Sequence, residues 1–330
     1  MDQNRGNVDL GRRQILKVGG AALAGWGLLG GVRCKVFGAE GARGKLSGKL
    51  ALQLGLCSAA VYERGGIEKY PDWKETHVEL VGEPFRSEEE DLQGFVGRAG
   101  ETLVVAFRGT VITEKKNWKT NVERRPVLLC EGANCRVHQG FLDAYARIRE
   151  PLRELMRGAG KVKNFIFTGH SLGGALALLA GEDFQRQLQA KEPGQTSFEE
   201  LLVCTFGQPR VGDKQLGGEF KGKLFRFVND FDPVPHVPIT GNYAQFGESV
   251  WFDHRQKITS KKAMALRLAI EGGALLRELR KLESNESLSD LAVREGKAGG
   301  KKLVEAIKNH RLEGPTGYLA CLRKHAEGEY

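Results

Sequence analysis

The chain has 330 residues, of which 41% are hydrophobic and 28% charged, and a formal net charge of +9. Residues 1–39 carry six basic side chains against two acidic ones, so about +5 remains on about 290 residues, a length that builds one domain with a full core. That surplus needs no nucleic acid to explain it, no nucleic-acid-binding motif accompanies it, and the lack of any CxxC or HExxH excludes the usual zinc sites.

The N-terminus reads as a targeting segment. GRRQILK at 11–17 has the twin-arginine pattern, and a Gly/Ala-rich apolar stretch follows at 18–32. That stretch is shorter than the about 20 residues a spanning helix needs, so it fits the apolar region of an export signal ending near Ala39. An uncleaved membrane anchor is the alternative. Arg33 directly before Cys34 argues against lipoprotein processing. The expected division is therefore a signal segment at 1–39 and one domain at 40–330, acting outside the cytoplasm in the periplasm or beyond.

Past the leader, helical spacing predicts a helix at 50–62 and a two-stranded hairpin turning at 98–101. VITEKKNW at 111–118 has only Val111, Ile112 and Trp118 as clearly apolar residues. A helix is expected at 141–157. The β-branched and aromatic run Phe165, Ile166, Phe167 then precedes Gly169-His170-Ser171-Leu172-Gly173, and Leu172, Leu176 and Leu179 continue with helical spacing. A GxSxG between a strand and a helix is the context of a nucleophile elbow, where a sharp turn pushes out the serine hydroxyl and leaves room only for Gly two residues away on either side. Ser171 is the expected nucleophile.

An activated serine needs a base to take its proton and an acid to orient the base, and α/β-hydrolases supply them in the chain order Ser, Asp or Glu, His. Downstream strands are predicted at 201–206, where Cys204 is an expected buried thiol, and at 224–228. Asp232 stands at the carboxyl end of the second, where α/β sheets build their sites, and Pro233 and Pro235 stiffen the backbone after it. Asp230 is its rival. Of the histidines that follow, His236 shares the stiff segment of Asp232, His254 ends an apparent strand and His325 sits in a polar tail. His310 lies between two helical segments, with Gly314 and Pro315 forming a turn, and is the preferred base. Residues 261–308 read as a helical insertion. Within it Met264, Leu268, Leu275, Leu279 and Leu282 fall near one face, which either packs on the body of the domain or docks on lipid with Lys261, Lys262, Arg267, Arg277, Arg280 and Lys281 meeting anionic head groups.

Five motifs in fixed order make the chain resemble the class 3 lipase family of fungal triacylglycerol lipases, feruloyl esterases and related acyl hydrolases: VVAFRGT (104–110), VHQGF (137–141), TGHSLGGALA (168–177), TFGQPRVGD (205–213) and DPVPHVP (232–238), with His310 and Tyr318 beyond. The resemblance implies an α/β-hydrolase fold with a mostly parallel central sheet and helices on both faces. It implies Ser171 as nucleophile, Asp232 as orienting acid, His310 as base, and an oxyanion hole from Thr110 and the Leu172 amide, within an elbow formed by Gly169, His170 and Gly173. It implies an ester hydrolase acting on acylglycerols or related lipid esters, with short-chain or aryl esters and phospholipids as alternative substrates and a non-catalytic lipid-binding module as the contrary reading. It also implies disulfides Cys130–Cys135 and Cys57–Cys321, a lid after Thr110, and contact with lipid surfaces. No cofactor or metal is implied. The chain departs from the pattern at Asn309, where an Asp commonly precedes the histidine.

Overall fold

A computed structural model describes residues 45–87, 92–109, 125–189, 199–238, 242–260, 262–263 and 308–330, all within the compact unit Val36–Tyr330. The expected signal segment, Thr110, the 111–118 stretch and almost all of the expected insertion at 261–308 lie outside the described residues.

The sequence alternates strands with helices, and parallel pairing follows. Strand β1 spans Glu79–Leu80, β2 Phe85–Arg86, β3 Gln93–Ala99 and β4 Thr102–Phe107. The remaining main-sheet strands are β7 (Asn164–His170), β8 (Glu200–Phe206), β9 (Lys223–Asn229), β10 (Glu248–Phe252) and β11 (Ile258–Thr259). They form a sheet of order β1-β3-β4-β7-β8-β9-β10-β11, with β2 also paired to β3. Strands β4, β7, β8, β9 and β10 run parallel, while β1, β2, β3 and β11 are antiparallel additions. β5 (Pro126–Leu128) and β6 (Arg136–His138) make a separate ribbon.

Parallel strands are buried on both faces, so neighbouring residues of one strand serve different cores. On one face Leu103, Val105, Phe107, Phe167 and Val203 pack against α2 (Gln139–Gly158) and α3 (Leu172–Gln189). Their neighbours Val104, Ala106, Ile166, Cys204, Phe225 and Phe227 face α1 (Gly48–Ala60) and the C-terminal α5 (Tyr318–Lys324) on the other. A short α4 (Lys214–Glu219) begins on an Asp213 side chain that accepts from the Leu216 amide. The expected helices at 50–62 and 141–157 and the hairpin turning at Gly100 are present, each with its ends moved by one or two residues.

The disulfide expectation is corrected. Cys57, Cys130, Cys135, Cys204 and Cys321 are all free thiols. Cys321 points its Sγ at Asn229 Oδ1, 3.6 Å away, and so supports the end of β9. Cys135 is buried with its Sγ 3.8 Å from an Arg186 Nη2, whereas Cys130 is exposed, so the two thiols of the CEGANC loop occupy different environments. Burial pushes the Cys135 and Cys321 thiols up to about 12, so both are neutral in the fold.

Candidate active site

Ser171 stands between the last residue of β7 and the first of α3, with φ of 58°. A non-glycine residue there costs energy, and the surrounding contacts hold it in place. A Cβ on Gly169 would sit 2.3 Å from the Gly173 carbonyl, and one on Gly173 would sit 2.2 Å from the Phe107 carbonyl oxygen. Both spacings are too short for any side chain, so the GxSxG pattern is set by backbone contact. The Ser171 amide donates to the Phe206 carbonyl at 2.9 Å, which ties the elbow to the end of β8.

Asp232 and His310 are 0% and 2% exposed. A buried carboxylate must be surrounded by donors, and this one is. His310 Nδ1 lies 2.8 Å from Asp232 Oδ2 and 3.0 Å from Oδ1, the Val234 amide donates to Oδ1 at 2.9 Å, and the Tyr318 hydroxyl donates to Oδ2 at 2.5 Å. Because Nδ1 faces the carboxylate, Nε2 is the nitrogen left to act. It is buried and finds no hydrogen-bond partner among the described residues.

The His310 ring rests against Gly207 at the end of β8, since a Cβ there would stand 2.9 Å from His310 Nδ1. It also packs on the His170 ring, the residue before Ser171, at a centroid distance of 4.5 Å. Ser171, His310 and Asp232 thus converge at the carboxyl ends of β7, β8 and β9. The end of β4 joins them: a Cβ on Gly109 would approach Ser171 Cβ to 3.1 Å, so residue 110 follows directly from a backbone pressed against the elbow. Leu172, first in α3, has an amide with no intrahelical acceptor at the positive end of the helix dipole. Thr110 itself lies outside the described residues.

The rivals are placed elsewhere. Asp230 (φ 44°) receives the Asn309 side-chain amide at 3.3 Å, so the residue before His310 meets a carboxylate without repelling it. His254 is exposed beyond β10, and His325 stacks on Phe252 and bonds the Gln256 carbonyl. His236 lies beside Trp251, and burial lowers it to about 4 against the upward pull of Asp232, with Arg210 and Arg226 pushing the same way as burial. A histidine depressed in the folded state gives stability that is full above its unfolded value near 6.5 and is lost as pH falls towards 4. The thermal midpoint should therefore drop between pH 6.5 and 4 more steeply in the wild type than in His236→Gln; parallel curves would contradict this placement.

A cleft of about 400 Å³ lined by Gln185, Glu200, Lys221 and Lys223 sits at the amino ends of β8 and β9, the far ends of these strands from Ser171. It has no part in the site. Among the described residues no group of three or more His, Cys, Asp or Glu is placed to hold a metal ion, and no helix is long and apolar enough to cross a membrane.

Residues 104–242 match the family described as Lipase (class 3). That segment takes in the end of β4, the Ser171 elbow and Asp232, and leaves His310 outside it. The chain is 33% identical to a lipase of Rhizomucor miehei over 162 residues, covering 47% of this chain and 43% of that one, and 30% identical to the secreted mono- and diacylglycerol lipase 1 of Fusarium solani over 163 residues, covering 47% and 45%. The chain spans less than half the length of these curated relatives. The solved structure of Rhizomucor miehei triacylglyceride lipase superposes with a TM-score of 0.52 at 25% identity, covering 65% of this chain and 85% of that one. The fold is that of the α/β-hydrolases, as the motifs implied.

Three residues of this site make contacts that no sequence motif announces. Tyr318 entered only as a landmark after His310. Its hydroxyl in fact holds Asp232 while accepting from the Asn229 amide at 3.1 Å, and burial first, then the Asp232 charge, raise it well above the ordinary phenol value, so it stays a donor. Asn229 ties the strand end to the His310 loop by donating to the Asn309 and Thr316 carbonyls at 2.9 and 2.7 Å. Tyr62, just past α1, reaches both His170 and Gly109. A tyrosine after a helical run carries no local signal of any of this.

Proposed function

We propose that this protein is a serine carboxylic-ester hydrolase acting on acylglycerols or related lipid esters. The observation that carries the reading is the buried Asp232–His310 pair beside a strained Ser171 at the elbow. His310 Nε2 takes the Ser171 proton as Oγ attacks the ester carbonyl, and Asp232 holds the imidazole in the required tautomer and stabilises the imidazolium. The tetrahedral oxyanion is bound by the Leu172 amide and by Thr110. One such donor is worth about 3 kcal/mol of barrier. His310 then returns the proton to the leaving alcohol, and water releases the acyl group by the same base. Export through the twin-arginine-type segment, with action at lipid surfaces outside the cytoplasm, completes the proposal; it is supported by the GRRQILK pattern and by a relative named as secreted.

The test is a substrate panel with purified protein: p-nitrophenyl esters of increasing acyl length alongside mono-, di- and triacylglycerol emulsions. Turnover of acylglycerols above that of phospholipids and aryl esters is expected. Turnover confined to soluble short-chain esters would overturn the lipid assignment, and no turnover of any ester would overturn the hydrolase itself.

A further inference from the structure

Beside the triad runs a second hydrogen-bond chain that the proposed chemistry does not use. His170 Nε2 lies 2.6 Å from the carbonyl oxygen of His310, His170 Nδ1 lies 3.2 Å from the Tyr62 hydroxyl, and that hydroxyl lies 3.0 Å from the Gly109 amide. The direction of every proton in this chain follows from its ends. A carbonyl oxygen can only accept, so His170 Nε2 carries the proton. His170 is buried, and burial first and His310 second hold it well below the ordinary imidazole value, so it is neutral and its Nδ1 has a bare lone pair. An amide can only donate, so the Tyr62 oxygen accepts from Gly109 and its one hydrogen goes to His170 Nδ1. Each atom of the chain then has its partner.

We propose that Tyr62 and His170 are positioning residues that fix the base loop and the oxyanion strand to the nucleophile elbow. His170 precedes Ser171, Gly109 precedes Thr110, and the far end of the chain is the main chain of His310 itself. Three segments that must meet within a fraction of an ångström come from positions 109, 170 and 310, and this chain is a side-chain link between them that leaves Ser171 Oγ and His310 Nε2 uncommitted. Arg108 places its Cζ 5.6 Å from the centre of the Tyr62 ring, a cation over an aromatic face, and its charge strengthens the Tyr62 hydroxyl as the donor to His170 Nδ1. The inference rests on the triad reading for its effect on rate, but its proton arrangement stands independently of any activity.

The experiment is nitrogen-15 NMR on protein labelled at histidine, with the His170 signals identified by their loss in His170→Gln. The expected result is a neutral ring with its proton on Nε2 that does not titrate between pH 5 and 9 in the wild type. A ring protonated on Nδ1, or one that titrates near the ordinary imidazole value, would overturn the inference whatever the enzyme's activity. Kinetics on a soluble ester, normalised to the fraction of sites titrated by an organophosphonate, give the second readout. Tyr62→Phe and His170→Leu should lower kcat by about 10- to 100-fold with KM little changed, because misplacement of the base by a fraction of an ångström acts on the chemical step. His170→Gln, whose amide can still donate to the His310 carbonyl, should recover much of the loss. Equal kcat for Tyr62→Phe, His170→Leu and the wild type would show the chain to be ordinary packing, as would a His170→Gln no better than His170→Leu. If instead Ser171→Ala keeps its activity, the triad reading fails while the NMR result still decides the proton arrangement.

Discussion

Replacing Ser171 by Ala is expected to lower ester hydrolysis by about 10⁴-fold or more, and His310→Ala should cost the same within about a factor of ten, because members of a triad act as one unit. Without the hydroxyl there is no acyl-enzyme. Without Nε2 the hydroxyl stays protonated. His254→Ala should retain near wild-type turnover, since His254 is exposed and lies beyond β10. Steady-state rates on a soluble ester, taken on protein whose fold is checked by circular dichroism, decide the matter. A folded His310→Ala variant with ordinary turnover would mean that another group accepts the proton.

The second large effect concerns the acid. Asp232→Asn keeps the size of the side chain but offers an amide to His310 Nδ1 at one of two oxygen positions now 2.8 and 3.0 Å from it, and so favours the wrong tautomer. A loss of about 10⁴-fold in kcat is expected. Tyr318→Phe bears on the same carboxylate from the other side. It removes the donor to Asp232 Oδ2 and leaves the buried Asn229 amide without its acceptor, which should destabilise the fold by about 1–3 kcal/mol. Its effect on kcat should be far smaller than that of Asp232→Asn, because Val234 and His310 still hold the carboxylate. The two variants are separated by comparing kcat with the urea midpoint. If Asp232→Asn instead lost stability and kept its rate, Asp232 would be a structural anchor.

The elbow was legible because its constraint is local. Two glycines flank a serine, and the clash distances of 2.2 and 2.3 Å explain why no other residue can stand there. Asp232 was legible from its place at a strand end before two prolines, and His310 because its rivals fitted worse. The rest depends on chain positions far apart. Tyr62 meets His170 across 108 residues and Tyr318 meets Asp232 across 86, and neither separation leaves a period or a spacing to read. β1, β2 and β11 have two residues each, too short for alternation to show. The cysteine pairs failed for a similar reason. Resemblance of position says nothing of where a thiol points, and Cys321 points at Asn229.

The central claim is that Ser171 forms a covalent acyl-enzyme with His310 as its base. It is tested most directly by reacting the protein with a p-nitrophenyl alkylphosphonate and locating the adduct by peptide mass spectrometry. The expected result is one equivalent bound on the peptide that contains Ser171, with loss of esterase activity in proportion. No adduct should form in Ser171→Ala, and formation should be slowed by about 10³-fold or more in His310→Ala. An adduct on any other residue that tracks the loss of activity, or full hydrolysis by Ser171→Ala, would contradict the account.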